Sequence, residues 1–242
     1  MTEGPRRTDD TEPPWALAPV HVSYRAVREG VSRLLAERPQ AEQLPVPACP
    51  DWTVRDALNH LVDNCRSAAA AAEDDDPAAS AFVSADAGLA ELLAEWARSG
   101  ALVDRMFAAS GRGRVMLMDA FTHELDIRRA LDAAPPADHP AYPDTLDLVA
   151  GGFSATVHAH GLPTLRIETS GAQWTTGPGK PVAVVRAPRH DLYRSFTGRR
   201  TLAQIGELSW SGSGSVLAWA PAFTWGPFRP PAAPTEGVTA LR

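Results

Sequence analysis

The sequence predicts an α+β chain in which an antiparallel four-helix bundle is followed by a smaller α+β domain. Two observations carry that expectation. Between residues 20 and 131, apolar side chains recur at three- and four-residue spacing in four separate segments, the stripe of an amphipathic helix. After Gly161 the pattern changes to short β-type runs divided by Gly and Pro turns. A proline-rich stretch, 135–143, lies between the two regimes. With 242 residues the chain has the length of two ordinary domains. The expected organisation is a disordered tail over 1–14, a bundle over 15–137 and an α+β domain over 138–242.

Residues 1–14 are rich in charge, Thr and Pro, with nothing to bury. The first helix is expected over 20–38, where Val20, Tyr24, Val27, Val31, Leu34 and Leu35 share a face. The prolines between Val46 and Asp51 lack amide donors and restrict the residues before them, so this segment reads as a rigid connector. Thr53 starts the second helix, with Asp56 three residues on in the form of a capping box. Leu58, Leu61, Val62 and Cys65 supply its buried face, and the acidic run 73–76 followed by Pro77 ends it in a solvated loop. A third helix is expected over 85–109, softened in its middle by Gly100, and a fourth over 115–131 after the break at Gly111 and Gly113. Mostly short connections make these four helices antiparallel neighbours. Beyond the prolines come a helix over 144–160, strands over 164–168, 173–176 and 181–186, and helices over 191–196 and 201–208.

Composition narrows the partners. The chain is 44% hydrophobic and 21% charged, enough apolar material for a core without disulfides. A net charge of −6 and a pI near 5.6 argue against nucleic acid, which is bound through clustered Lys and Arg. Dense basic runs do not exceed pairs such as Arg128-Arg129 and Arg199-Arg200. No run reaches the roughly 20 apolar residues of a membrane helix. The first ten residues lack an export pattern and the two cysteines, Cys49 and Cys65, read as free thiols, so a cytoplasmic location is expected. The expected state is a monomer or homodimer.

Asp119 and His123 stand four apart on the fourth helix, one turn apart on one face. His60, beside Leu58 and Leu61 on the second helix, is the best third donor from a facing helix. Two imidazoles and a carboxylate suit zinc, iron, nickel or cobalt and leave positions for water or substrate. The same spacing also fits a helix-surface hydrogen bond, and spacing alone leaves both readings open. Asp126 either orients His123 or pairs with Arg129 or Arg66. Arg128 is excluded as a ligand because a guanidinium offers only donors. Arg199 and Arg200 either direct a guanidinium at an anionic ligand or follow a helix cap as solvated charges. The remaining histidines read as surface or capping residues, and Cys49, Cys65, Trp52 and Trp96 as packing residues.

The stretch Val46-Pro-Ala-Cys-Pro-Asp-Trp-Thr-Val-Arg-Asp-Ala-Leu-Asn-His-Leu61 resembles a signature of the mycothiol-dependent maleylpyruvate isomerase family, whose N-terminal domain is a DinB-like metal-binding bundle. Residues 119–131 resemble its second signature, in which an acid and a His four later complete a metal triad. The resemblance implies that His60, Asp119 and His123 are the ligands, with Asp119 standing where the characterised isomerases carry Glu. The segments 187–200 and 225–228 are similar, more loosely, to the family's sterol-carrier-like C-terminal domain, so the likeness spans about 24 to 230. It implies a metal-dependent enzyme, with zinc the first candidate ion, that uses mycothiol for isomerisation or S-transfer on a small electrophilic substrate. Arg199 and Arg200 would then serve the thiol cofactor or a substrate carboxylate. The alternative is a non-catalytic, metal-containing binding or regulatory protein of the same fold, motivated by the Asp at 119.

Overall fold

The computed structural model describes residues 15–71 and 87–237. The expected tail over 1–14, the acidic run 73–76 with Pro77, and the first residues of the expected third helix lie outside the described residues. The chain is α+β and forms two compact units. One takes Leu17–Pro135 together with His139–Leu148; the other takes Pro136–Asp138 and the residues from Val149 onward, with Trp15 and Ala16.

In the first unit, α1 (Val20–Ala36), α2 (Val54–Ala70), α3 (Leu89–Ser110) and α4 (Arg114–Ala130) form where the apolar stripes predict them. Both α1 and α2 pack on α3 and on α4. Tyr24, Val27, Val31, Leu58, Leu61, Leu92, Trp96 and Phe121 are fully or almost fully buried between them. Trp96 buries its ring without losing its polar contact, because Nε1 donates to Tyr24 Oη at 3.1 Å. Gly100 does not soften α3, which runs helical through it. The glycine is there for a close approach: a Cβ would stand 2.0 Å from Arg28 Nη1, whose guanidinium crosses that spot to reach Asp104 Oδ2 at 2.8 Å.

The proline-rich connector is more ordered than a plain linker. A short 3-10 helix, Pro39–Gln43, leads into an antiparallel hairpin of β1 (Pro45–Val46) and β2 (Cys49–Thr53), with Val46 opposite Cys49. Thr53 ends β2 and caps α2 in a reciprocal box: its N–H donates to Asp56 Oδ2 at 2.8 Å, and the Asp56 N–H donates to Thr53 Oγ1 at 3.2 Å. The short Asp side chain therefore serves where Glu or Gln is usual. Thr53→Ala is expected to cost about 1 kcal/mol in chemical denaturation, a typical value for a lost N-cap.

In the second unit the sheet order is β4–β3–β5–β6, formed by β3 (Leu165–Thr169), β4 (Ala172–Thr176), β5 (Ala183–Arg186) and β6 (Ser209–Gly212). Strands β3 and β5 are parallel and the other pairs antiparallel. Helix α5 (Ala141–Ala159), whose residues up to Leu148 belong to the first unit, precedes the sheet, and α6 (Arg189–Phe196) and α7 (Leu202–Gly206) lie between β5 and β6. Phe153, Phe196 and Phe223 form its aromatic centre, with ring centroids 4.9 to 6.1 Å apart. Strand β6 and a 3-10 helix at Val216–Phe223 are not expected from the sequence. Among the described residues no helix is long and apolar enough to cross a membrane.

Candidate metal centre

The capping box at Thr53 fixes where α2 begins, and hence which way His60 points two turns later. Helix α4 brings Asp119 and His123 to the same place. His60 Nε2 lies 3.1 Å from Asp119 Oδ2, and His123 Nε2 lies 3.7 Å from Asp119 Oδ1. One donor atom from each of the three residues falls within 4.8 Å of the others. Donors bound at about 2.0–2.2 Å in a tetrahedral shell sit roughly 3.3 Å apart, so this spread fits one ion. The shorter arm of Asp119 still reaches both rings, one oxygen to each.

The surroundings suit a ligand set. Asp126 is fully buried and places Oδ2 3.2 Å from His123 Nδ1, whereas Arg129 turns to Asp132 and Arg66 to Asp63 and Glu95. Of the two readings left open for Asp126, the geometry favours the one that orients His123, leaving Nε2 to face Asp119. Asn64, one turn after His60, puts its amide nitrogen 3.1 Å from His60 Nε2 and 3.0 Å from Asp119 Oδ2. The hydrogen-bonding pattern there is frustrated. His60 Nε2 would need a proton to donate to Asp119 and a lone pair to accept from Asn64; a cation taking that lone pair would replace the proton toward Asp119 and leave the Asn64 amide to donate to Asp119 Oδ2 alone.

Without an ion, charge and hydrogen bonding lock the acid and the ring together. The hydrogen bond to Asp119 raises the His60 pKa against the opposing effect of burial. Burial pushes Asp119 up, yet the hydrogen bond and charge of His60, the charge of His123 and the Asn64 contact outweigh it and hold the carboxyl below its ordinary value.

Two participants escape sequence reasoning as functional residues. Trp52 is not simply a packing residue: its half-exposed ring lies 5.1 Å from the His60 ring and stacks at 5.3 Å on His123. Its position at the end of the hairpin, one residue before the cap, is the signal that could have found it. Asn64 could have been found as the i+4 neighbour of His60. Cys65, by contrast, is buried and accepts from Ser99 Oγ at 3.5 Å, as a core thiol should.

Glu124 follows His123 but takes no part in the ligand set. Its buried carboxylate meets Arg128 Nη2 at 2.7 Å and His139 Nε2 at 3.3 Å. His139 is thus a buried residue, stacked on Phe121 and accepting from the Ala141 N–H through Nδ1. His190 is neither a surface nor a ligand residue: burial, then the charges of Arg194 and Arg200, push its pKa well down. Burial raises Glu124 from 4.5 to about 7, with Arg128 pulling the other way. A raised folded-state value means that the contribution to stability is present below 4.5 and lost as pH rises through about 7. Between those limits the wild type is expected to lose up to about 3 kcal/mol relative to Glu124→Gln, as read from denaturation curves of both proteins. A pH-independent difference would rule this out.

In the second unit, Arg200 is 1% exposed and its guanidinium is engaged by Asp191 Oδ1 at 2.8 Å and by Glu236. Arg199 is half-buried and donates through Nη1 to the Thr197 carbonyl at 2.6 Å.

Residues 24–128, which carry all three proposed ligands, match the family described as the mycothiol maleylpyruvate isomerase N-terminal domain. Among solved structures, the chain resembles a crystal structure of a histidine-to-alanine mutant of the mycothiol-dependent maleylpyruvate isomerase, at 16% identity and a TM-score of 0.50. That alignment covers 81% of this chain and 93% of the other, and at such identity it speaks for the fold alone. A second crystal structure of the mycothiol-dependent maleylpyruvate isomerase aligns over the same shares at 16% identity, with a TM-score of 0.44. No curated protein matches the chain. The matched region thus combines a two-His, one-Asp cluster with an aromatic wall from Trp52 and a buried acid, Asp126, beside His123.

Proposed function

We propose that the chain is a metal-dependent enzyme that uses a low-molecular-weight thiol, mycothiol, for isomerisation or S-transfer on a small electrophile. In this reading the N-terminal unit is a DinB-like antiparallel four-helix bundle and the C-terminal unit a sterol-carrier-like domain. The observation that carries the proposal is the convergence of His60, Asp119 and His123, with two of them half-buried and open to an incoming ligand.

His60, Asp119 and His123 would hold a divalent ion, zinc first among the candidates given two imidazoles and a carboxylate. Such an ion supplies the charge that favours thiolate over thiol at neutral pH. Asp126, 3.2 Å from His123 Nδ1, would favour the proton there and leave the Nε2 lone pair toward the centre. His60 must give up its proton for the ion to enter, and since Asp119 raises its pKa, uptake weakens as pH falls. Trp52 covers the two rings, and the Asn64 amide adds a donor beside the anionic ligand. A thiolate formed here can add to a conjugated double bond, allow rotation and depart, or it can displace a leaving group. Arg199 remains the candidate contact for an anionic ligand, since Arg200 is committed to Asp191 and Glu236.

Titrating metal-loaded protein with mycothiol is expected to release about one proton per site as thiolate forms. The absence of both heat and proton release would reject thiol use. Tight thiol binding with no turnover across a panel of conjugated and alkylating electrophiles would favour the non-catalytic alternative.

A further inference from the structure

A second set of donors shares the same imidazole. Cys49 Sγ, one ring nitrogen of His123 and a carboxylate oxygen of Asp126 fall within 4.8 Å of one another. Cys49 opens β2, so the hairpin that lays Trp52 over the histidines also carries this thiol to them. His123 is 8% exposed, and its Nδ1 is buried without a hydrogen bond of acceptable geometry, although Asp126 Oδ2 stands 3.2 Å away. A buried ring nitrogen beside a carboxylate, with a thiol in the same cluster, is a donor set for a soft divalent cation.

We propose that Cys49, His123 Nδ1 and Asp126 form a second, thiolate-containing cation register that excludes the first. The proposal borrows His123 from the centre described above but does not need His60 or Asp119 as ligands. A neutral imidazole has one lone pair in its ring plane. With the proton on Nδ1, Nε2 serves the His60 and Asp119 side; with the proton on Nε2, facing Asp119 Oδ1 at 3.7 Å, Nδ1 serves the Cys49 side. On binding, the Cys49 thiol releases its proton to solvent and its sulfur donates the electron pair, with no change of oxidation state. The charges then differ between the registers. One carboxylate leaves a divalent ion at His60, Asp119 and His123 with an excess of one positive charge, whereas a thiolate and a carboxylate neutralise it at Cys49, His123 and Asp126. A thiophilic ion such as cadmium is therefore drawn to the second register and a harder ion such as nickel to the first.

Cadmium added to the metal-free full chain tests this through the ultraviolet thiolate-to-cadmium charge-transfer absorption. The absorption is expected in wild type, in His60→Ala and in Cys65→Ser, and is expected to vanish in Cys49→Ser. Asp126→Asn should weaken cadmium binding by at least about 10-fold, the scale at which loss of a metal-supporting carboxylate is felt. Absorption lacking in wild type, surviving in Cys49→Ser, or lost in His60→Ala would overturn the proposal. Nickel content of the His60→Ala protein reports on the first register separately. Nickel lost with the cadmium signal kept upholds both registers, and nickel kept with the cadmium signal kept overturns only the first.

Discussion

Replacing either His60 or His123 with alanine is expected to leave the purified protein with no more than about a tenth of the wild-type content of zinc, nickel or cobalt. Each replacement removes one of only three protein donors, a larger loss than the roughly 10–100-fold caused by deleting a supporting residue outside the ligand set. The fold should survive. The His60 side chain is 32% exposed and outside the apolar core, so far-UV circular dichroism is expected to match the wild type. His123 is more enclosed, and its loss should cost more stability without preventing folding. Asp119→Asn gives a complementary measurement, since it keeps the shape of the side chain and removes the charge. If wild type and all three variants carry equal metal per chain, the ligand assignment is wrong. The metal-free proteins supply a second readout: without His60, the Asp119 carboxyl should titrate at a higher pH, because that ring's hydrogen bond is what chiefly offsets its burial.

Glu236→Ala should destabilise the C-terminal unit by about 3–5 kcal/mol, the usual result of removing one partner from a buried ion network. Arg194 meets Glu236 with two bonds, Nε to Oε1 at 2.6 Å and Nη2 to Oε2 at 3.1 Å. Arg200 joins the same carboxylate and also holds Asp191, while Gln204 Nε2 donates to the Glu236 carbonyl at 2.6 Å. Exposures of 0% for Arg194, 1% for Arg200, 0% for Asp191 and 9% for Glu236 leave little solvent to compensate. Deleting Glu236 removes a buried carboxylate that two buried guanidiniums share. Denaturation monitored through the tryptophans of this unit would measure the loss, and a change below about 1 kcal/mol would show that the network is worth no more than a surface pair.

The helices of the first unit are legible in the sequence because each buries a stripe at helical spacing: Val20, Tyr24, Val27 and Val31 on α1 recur every three or four residues. The cap at Thr53 is legible for the same local reason. What the sequence conceals depends on residues far apart in the chain. Gly100 reads as a weak point in a helix, and only the guanidinium of Arg28, 72 positions away, explains it. Arg200 reads as a solvated charge or a free anion contact, because nothing nearby in the chain announces that Asp191 and Glu236 surround it. Strand β6 escapes notice because Ser209-Trp-Ser-Gly212 carries a single large side chain and alternates weakly. At the centre, helical periodicity brings Asp119 and His123 to one face, but no local rule links Trp52 or Cys49 to them. Those two arrive through the hairpin, a long-range packing event.

Anyone wishing to study the first unit by itself should therefore not cut at the proline pair. His139 packs on Phe121, the Pro140 carbonyl receives the Ser23 hydroxyl, and Asp144 holds Arg114 at 2.6 Å, all within the first unit. An excised piece ending near residue 137 would expose the aromatic flank of α4, the helix that bears Asp119 and His123, and should aggregate. One extended through Leu148 carries its own seal and is the fragment to express.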